Sequence, residues 1–181
     1  VRGQLVDLGI YINADDIAQR LIEGKFSFSR YHTHVSKKEI LDFALQSGLL
    51  NKTFTPAILE TMFRISGSSI KLHDKTYFQN LAQLIARFLR ERMLSERKRF
   101  SFETVFSHES NIDIMKRAAE AGYKVYLYFV STESPEINKY GISFSFIYSI
   151  IFLKVSLCSI LLSLQRFCLL LNVINGVSKC I

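Results

Sequence analysis

The chain has 181 residues, 49% of them hydrophobic, and a formal net charge of +7, which suits one ordinary globular domain. All three cysteines lie after position 139, so the longer front part has neither a disulfide framework nor the cysteine spacing of a structural zinc site. Because residues 1–12 lack the apolar run of a secretory signal, we expect a cytoplasmic protein.

The front part opens with a predicted strand and helix. Residues 8–13 (LGIYIN) form a short apolar run with β-branched and aromatic side chains, which is typical of a strand. Asp15 or Asp16 follows where a helix cap is needed, and the apolar residues after them recur at helical spacing. Residues 24–34 show no clear period and predict a loop.

A mostly helical block is predicted over residues 35–97. Its first helix begins at a capping box in residues 36–39 and ends at Gly48, a common helix C-cap. A second helix begins at Pro56, where a missing N–H costs nothing, and is expected to end near Gly67. A third, long amphipathic helix completes the block.

One dense basic stretch, residues 87–99, overlaps the end of that third helix. Glu91 and Glu96 interrupt it, and no stacking aromatic residues are interleaved with its cations. This pattern favours a solvated helix face over a nucleic-acid interface, and we expect no nucleic-acid partner.

The next three predicted elements are a strand, a helix and a strand. Residues 99–106 alternate apolar and polar at their start, residues 111–121 are amphipathic and end at Gly122, and residues 123–130 are aromatic and β-branched throughout. This order predicts a βαβ unit with parallel pairing and a right-handed crossover. The front part is therefore expected to be an α/β domain with a helical insertion.

Polar residues that follow the predicted strands are the candidates for a site, because ligands bind at the carboxyl ends of strands in open parallel sheets. Those candidates are Asp15, Asp16, Glu103, Thr104, Ser107, Ser131 and Glu133. Carboxylates from neighbouring strand ends can take the proton of a hydroxyl and hold a magnesium ion, as phosphoryl transfer requires. The alternative is that Asp15 and Asp16 serve only as helix caps.

Three segments carry a resemblance to a known family: YINADDIAQRL at 11–21, ARFLRERMLSERKRF at 86–100 and RFSFETVFSHESNIDIMKRAAEAGYKVYLYFVSTESPEIN at 99–138. Together they resemble the zeta toxins, which are P-loop kinases, and the resemblance covers nearly all of residues 8–139. It implies a P-loop-kinase-like parallel sheet with a helical insertion at 35–97.

The resemblance also implies an activity. Zeta toxins transfer the γ-phosphate of ATP, with magnesium, to a hydroxyl of a UDP-activated amino sugar or another small molecule, and an antitoxin protein can be their partner. By motif, Asp15 corresponds to the base and Glu103 to an acid that contacts the acceptor or magnesium. Thr104 and Ser107 would bind the acceptor, and Asp16 would be a second magnesium ligand.

The sequence also departs from the family pattern. The family motif G-x-x-x-x-G-K-[S/T], whose backbone amides cradle phosphates, does not precede the strand at 8–13, and the Gly- and Arg-rich lid expected after residue 138 is missing. Val105 and Ser107 stand where many members have Thr and Arg. We therefore expect residues 1–139 to be an incomplete, inactive kinase domain; the alternative is a non-catalytic module that binds a nucleotide sugar or an antitoxin-like protein.

The apolar tail, residues 140–181, differs from the rest because it contains three basic residues and no Asp or Glu. Residues 142–164 are long enough for a membrane span, with Lys154 as their one charge, which would make the chain a membrane-anchored kinase-like protein. The other interpretation, which the sequence favours, is an out-of-frame or readthrough translation beginning where the family pattern stops.

Overall fold

The structure is a computed structural model and describes residues 8–105, 109–129 and 148–155. It is a mixed α/β protein that divides into two compact units, Val1–Thr104 and Val105–Ile181. The first unit contains β1 (Ile10–Ile12), α1 (Ala14–Ile22), a 3₁₀ turn (Phe28–Tyr31), α2 (Lys37–Ser47), α3 (Pro56–Met62), β2 (Phe63–Ser66), β3 (Ser69–Leu72), α4 (Phe78–Ser95) and β4 (Phe100–Val105), which ends at the boundary. The second contains α5 (Glu109–Glu120), β5 (Tyr123–Phe129) and β6 (Tyr148–Val155).

The strands β1 and β4 form a small parallel sheet in the first unit. Their register pairs Ile10 with Phe100 and Ile12 with Phe102. Because side chains alternate across a strand, Ile12, Phe100 and Phe102 all enter the core and are at most 1% exposed. Both strands predicted from the apolar patterns are confirmed.

The amino ends of β1 and β4 meet at Gly9. Its φ is +67°, and a Cβ placed there would lie 2.5 Å from the backbone oxygen of Arg99. The next residue, Ile10, donates its N–H to that same oxygen at 3.0 Å. Only glycine permits this approach without displacing the backbone that aligns the two strands.

Helix α4 is the centre of the core of this unit. Its buried apolar side chains lie on several faces, and α1, whose Ile17 and Leu21 are buried, packs directly against it. Each fully buried large apolar side chain contributes about 1.5–3 kcal/mol relative to exposure. The long helix predicted at the end of the block is confirmed as α4.

The predicted start and end of α2 are also confirmed. The Ser36 hydroxyl accepts the Glu39 N–H, and the Glu39 carboxylate accepts from the Ser36 backbone N–H at 2.8 Å, which completes the capping box. Gly48 ends the helix with a left-handed φ of 68°. The Ser36 backbone N–H, its hydroxyl and the nearby Arg92 hold the pKa of Glu39 below its usual value.

The expectation of a mostly helical block is wrong over residues 63–72. The second helix ends at Met62, not near Gly67, and β2 and β3 follow as an antiparallel hairpin whose register pairs Phe63 with Leu72. In β2, Phe63 is buried and Arg64 exposed, so the residues alternate at the period of a strand. Gly67, at a φ of 59°, lies in the turn.

The expected loop at residues 24–34 is ordered against this hairpin. Ser27 forms a bridge with Ser69, and the Phe28 N–H donates to the Ser68 carbonyl at 2.8 Å. A 3₁₀ turn then places Phe28 and Tyr31 in the core. The apolar residues of this segment show no helical period because the 3₁₀ turn is only four residues long and does not continue as a helix.

The basic stretch makes contacts within the first unit. The Arg90 guanidinium lies 4.7 Å from the centre of the Phe102 ring, and burial lowers its pKa to about 10, with Arg87 adding to the effect. Arg92 pairs with Glu39 at 2.9 Å and with Glu96 at 2.6 Å. The predicted solvated face therefore includes cations that connect α4 to β4 and α2.

In the second unit, β5 pairs antiparallel with β6 over its whole length, from Tyr123 opposite Val155 to Phe129 opposite Ser149. We expected a parallel partner for this strand; the partner in its own unit runs the other way. Strand β6 lies inside the candidate span at 142–164, whose other residues fall outside those described. Among the described residues, no helix is both long enough and apolar enough to cross a membrane.

Replacing Gly9 with alanine should destabilise the first unit more than replacing Gly24. Both glycines have a left-handed φ, +67° and +69°, but a Cβ on Gly24 meets nothing within 4 Å. The G24A change should cost about 1 kcal/mol of unfolding free energy for the backbone alone, and G9A roughly 1–3 kcal/mol more for the steric conflict. Urea unfolding of both variants measures the difference, and equal losses would contradict the close approach of the strands.

Burial of Tyr31 should make the protein less stable in alkali. Its side chain is 3% exposed, and burial raises the pKa to about 12, whereas the unfolded tyrosine ionises near 10. Between these values the folded state binds more protons, so the free energy of unfolding falls by up to roughly 2–3 kcal/mol as the pH rises. Urea unfolding of wild type, Y31F and Tyr128→Phe measures the unfolding free energy over this pH range. The Y31F variant should lack this part of the decline, while the variant at exposed Tyr128 should show it as wild type does.

Candidate functional site

The carboxyl ends of β1 and β4 bring three polar side chains together. Because Ile12 is opposite Phe102, Asn13, which follows β1, lies beside Glu103, the next residue of β4. Tyr11 comes from the half-exposed face of β1. This edge of a parallel sheet is where α/β proteins place ligands.

These residues form a closed set of hydrogen bonds, the Tyr11–Asn13–Glu103 cluster. The Tyr11 hydroxyl donates to Glu103 Oε2 at 2.5 Å, and Asn13 Nδ2 donates to the same oxygen at 2.7 Å. Asn13 Nδ2 also donates to the Tyr11 hydroxyl oxygen at 3.1 Å. Two donors thus fix one carboxylate oxygen of Glu103, while Oε1 has no hydrogen bond to a described residue.

Asn13 also caps helix α1, and the expectation that Asp15 or Asp16 does so is wrong. Asn13 Oδ1 accepts the N–H of Asp15 at 2.7 Å and that of Asp16 at 3.3 Å, with the extended backbone that an N-cap requires. Both aspartates lie in the first turn instead, and both are exposed. Their carboxylates form no hydrogen bond with a described residue, so capping does not occupy them.

The electrostatic setting keeps Tyr11 as a donor. Burial, followed by the hydrogen bond to Glu103, raises the pKa of its hydroxyl, and the negative charge of Asp16 adds to the effect. The hydroxyl therefore retains its proton at neutral pH and continues to hold the Glu103 carboxylate.

Asp15 also lies at a groove of about 770 Å³ within the first unit. The groove runs between α1, the segment after α2 and the first turns of α4, and its lining is Ala14, Asp15, Ala18, Gln19, Gly48, Leu49, Asn51, Phe78, Gln79, Asn80 and Gln83. A volume of this size accommodates a small molecule. Asn13 connects the groove to the cluster, because one end of its amide holds the Asp15 backbone and the other holds Glu103.

The residues predicted from sequence are distributed over this region. Glu103 is in the cluster, Asp15 is in the groove, and Asp16 is close enough to affect Tyr11. Thr104 is half-buried at the end of β4, while Ser107, Ser131 and Glu133 lie outside the described residues.

Sequence reasoning missed Tyr11 and Asn13 as site residues. Asn13 could have been recognised because Asn is among the best N-cap residues and directly precedes the first helical residue. Tyr11 could not, because its role depends on Glu103, 92 positions away in the chain.

The described residues contain no group of three or more His, Cys, Asp or Glu side chains placed to hold a metal ion. A magnesium ion that serves phosphates needs fewer protein ligands, since it takes one or two carboxylates and completes its shell with phosphate oxygens and water. Glu103 Oε1, which has no hydrogen bond to a described residue, could serve as one such carboxylate ligand.

Comparisons of the chain with known protein families, with curated proteins and with solved structures found no significant match.

Replacing Asn13 with aspartate should separate its two roles. The variant keeps a capping oxygen but loses both donors and places a second carboxylate against Glu103, which should cost about 1–3 kcal/mol of stability at pH 7. Protonation of one of the two carboxylates removes the repulsion, so this loss should shrink as the pH falls toward 4. The matched control is Thr55→Asp at the cap of α3, whose first turn contains no acid.

Thermal unfolding of both variants between pH 4 and 8 measures this effect. The N13D variant should approach the stability of wild type in acid, and T55D should differ little from wild type at any pH. A pH-independent loss in N13D would show that the contact with Glu103 does not contribute.

Proposed function

We propose that the first unit is the acceptor side of a P-loop-kinase-like phosphotransferase of the zeta toxin type, a class that transfers phosphate from ATP with magnesium to the hydroxyl of a small molecule. The departures from the family pattern predict that this chain is itself weakly active or inactive. The observation that carries the proposal is the edge of the parallel β1–β4 pair. There Glu103 is held by Tyr11 and Asn13, and Asp15 lies in the first turn of the helix that follows β1. Ligands of open parallel sheets bind at the carboxyl ends of the strands, so acidic side chains at this position can act as acid–base groups on a bound ligand.

Asp15 is the proposed base. Its carboxylate is exposed in the groove, makes no hydrogen bond with a described residue, and is therefore available to a ligand hydroxyl. Its backbone is fixed by Asn13, which limits the positions that the side chain can reach. A base must lie within hydrogen-bond reach of the proton it removes, and a groove that holds the acceptor beside Asp15 provides that reach.

Glu103 is the proposed ligand for the acceptor or for magnesium. Tyr11 and Asn13 hold Oε2 and leave Oε1 available, so the carboxylate is oriented before any ligand binds. Such preorganisation favours charge stabilisation, because little rearrangement is needed at the moment of reaction. The acceptor implied by the resemblance is a UDP-activated amino sugar, and Thr104 and Ser107 remain proposed contacts to it.

A second candidate is a non-catalytic binding module for the same small molecule. The groove favours it, because apart from Asp15 its polar lining consists of carboxamides, which hydrogen-bond but do not exchange protons at neutral pH. An antitoxin-like protein remains a proposed partner in either case. The two candidates differ in whether a phosphorylated product forms.

The Asp15→Asn variant should lose phosphotransfer without losing the fold. If Asp15 is the base, the rate should fall about 10²- to 10⁴-fold, since general bases contribute factors of that size. The assay incubates the full chain with ATP, magnesium and UDP-N-acetylglucosamine or other alcohols, and mass spectrometry detects the phosphorylated product. Asp42→Asn, at an exposed aspartate of α2, is the matched control and should keep the wild-type rate.

Three results would redirect the proposal. Product formation by D15N at the wild-type rate would remove Asp15 from the chemistry. Acceptor binding by the wild-type chain without product would favour the binding module or the inactive kinase domain. Neither binding nor product with any acceptor would reject both candidates.

A further inference from the structure

The β2–β3 hairpin has one strand edge that no described strand covers. The inner strand, β3, is bonded on its far side, since Ile70 donates its N–H to the Phe26 carbonyl at 3.3 Å. On the other side of the hairpin, β2 has β3 as its one partner among the described strands. The hairpin therefore ends in a free edge along β2, and a free edge can pair with another polypeptide.

The register identifies the backbone groups on that edge. In an antiparallel pair, residues bonded to the opposite strand alternate with residues whose N–H and C=O point away from it. Ile70 is of the second kind because its N–H points at Phe26, and so is Ile65, its partner in β2. The N–H and C=O of Ile65 therefore face outward, and they form no hydrogen bond with a described residue.

The outer face of the hairpin is basic. Arg64 and Lys71 are directly opposite each other in the ladder, and both are exposed. By the same alternation they are bonded to each other through their backbones, which places their Cα atoms about 5.5 Å apart. Residues 63–72 contain no Asp or Glu, and neither cation forms an ion pair with a described residue.

Two cations placed opposite each other lower the stability of a sheet. A charge on an edge strand can protect it against unwanted pairing, and Arg64 alone would provide that protection. Lys71 has no such explanation, because it is on the inner strand, whose far side is already bonded to residues 26 and 28. An anionic partner that neutralises both charges accounts for a repulsive pair at this position.

The apolar face of the hairpin adds a second requirement. Ile65 is half-buried, whereas Ile70, opposite it in the ladder, is fully buried. A strand added along β2 would place every second side chain on this face, beside Ile65, and the others on the outer face, beside Arg64. A complementary strand therefore has apolar residues that alternate with acidic ones.

We propose that β2 binds an extended acidic segment of another protein as an antiparallel third strand of the hairpin. The backbone of the segment completes the hydrogen bonds of Ile65, and its acidic side chains lie within reach of Arg64 and Lys71. A second copy of β2 does not fit, because it would bring another arginine to the same face. A nucleic acid would neutralise the cations, but it does not present alternating N–H and C=O groups to a strand edge.

NMR titration of the isotope-labelled full chain with a blocked peptide of alternating Glu and Val tests strand addition. The amide signals of β2 should shift, and exchange of the Ile65 N–H with solvent should slow at least about threefold at saturation. The same peptide with its valine nitrogens methylated keeps its charges but cannot donate to Ile65, so it should bind about tenfold more weakly. Equal binding of the two peptides, or binding of neither, would overturn the proposal.

Two variants separate the charge from the fold. Lys71→Glu replaces a repulsion with an attraction to Arg64, so it should raise the urea midpoint of unfolding and yet weaken binding of the acidic peptide about tenfold. Lys38→Glu, at an exposed cation of α2, is the matched control and should leave binding unchanged. Unchanged binding by K71E, or an equal loss in K38E, would show that the cation pair does not recognise the peptide.

Two further probes decide between kinds of partner. A peptide with Lys in place of Glu should not bind, and a single-stranded oligothymidylate of similar charge should bind more weakly than the acidic peptide. Tighter binding of the oligonucleotide would overturn the proposal in favour of a nucleic-acid interface. None of these measurements involves phosphotransfer, so a failure here leaves the proposed function standing, and loss of that function leaves the strand edge standing.

Discussion

The parallel alignment of β1 with β4 is the constraint on which the first unit depends. It is set where Gly9 passes the Arg99 carbonyl, and the Ile10 N–H bonds to that carbonyl at 3.0 Å. A shift of one residue would move the buried faces of both strands to the opposite side. The same register brings Asn13 beside Glu103, so an alignment fixed at one end of the strands decides the chemistry available at the other.

Asn13 makes the stability of this unit and the geometry of its site inseparable. One end of the side chain caps α1, and α1, which buries Ile17 and Leu21, packs on the central helix α4. The other end holds Glu103. Any motion that loosens the start of α1 therefore also releases the carboxylate, and the position of Asp15 in the groove changes with both.

Structural features that are set by residues close together in the chain were predictable from the sequence. The capping box at Ser36, the helix end at Gly48 and the long apolar period of α4 each depend on residues a few positions apart. The β2–β3 hairpin was missed because its strands are four residues long, too short for a period of two to be distinguished from part of a helix. The Tyr11–Glu103 contact and the walls of the groove join distant segments, and no local pattern reports them.

The two ends of the segment between α1 and α4, residues 23–77, lie close together. Lys75, shortly before α4, donates to the carbonyl of Ile22, the last residue of α1, at 3.4 Å. In such a segment the exposed turns tolerate changes of length at little cost, whereas its buried residues, among them Phe28 and Tyr31, must be kept. Because this segment supplies one wall of the groove and none of the Tyr11–Asn13–Glu103 cluster, exposed positions of that wall can change while the cluster is kept.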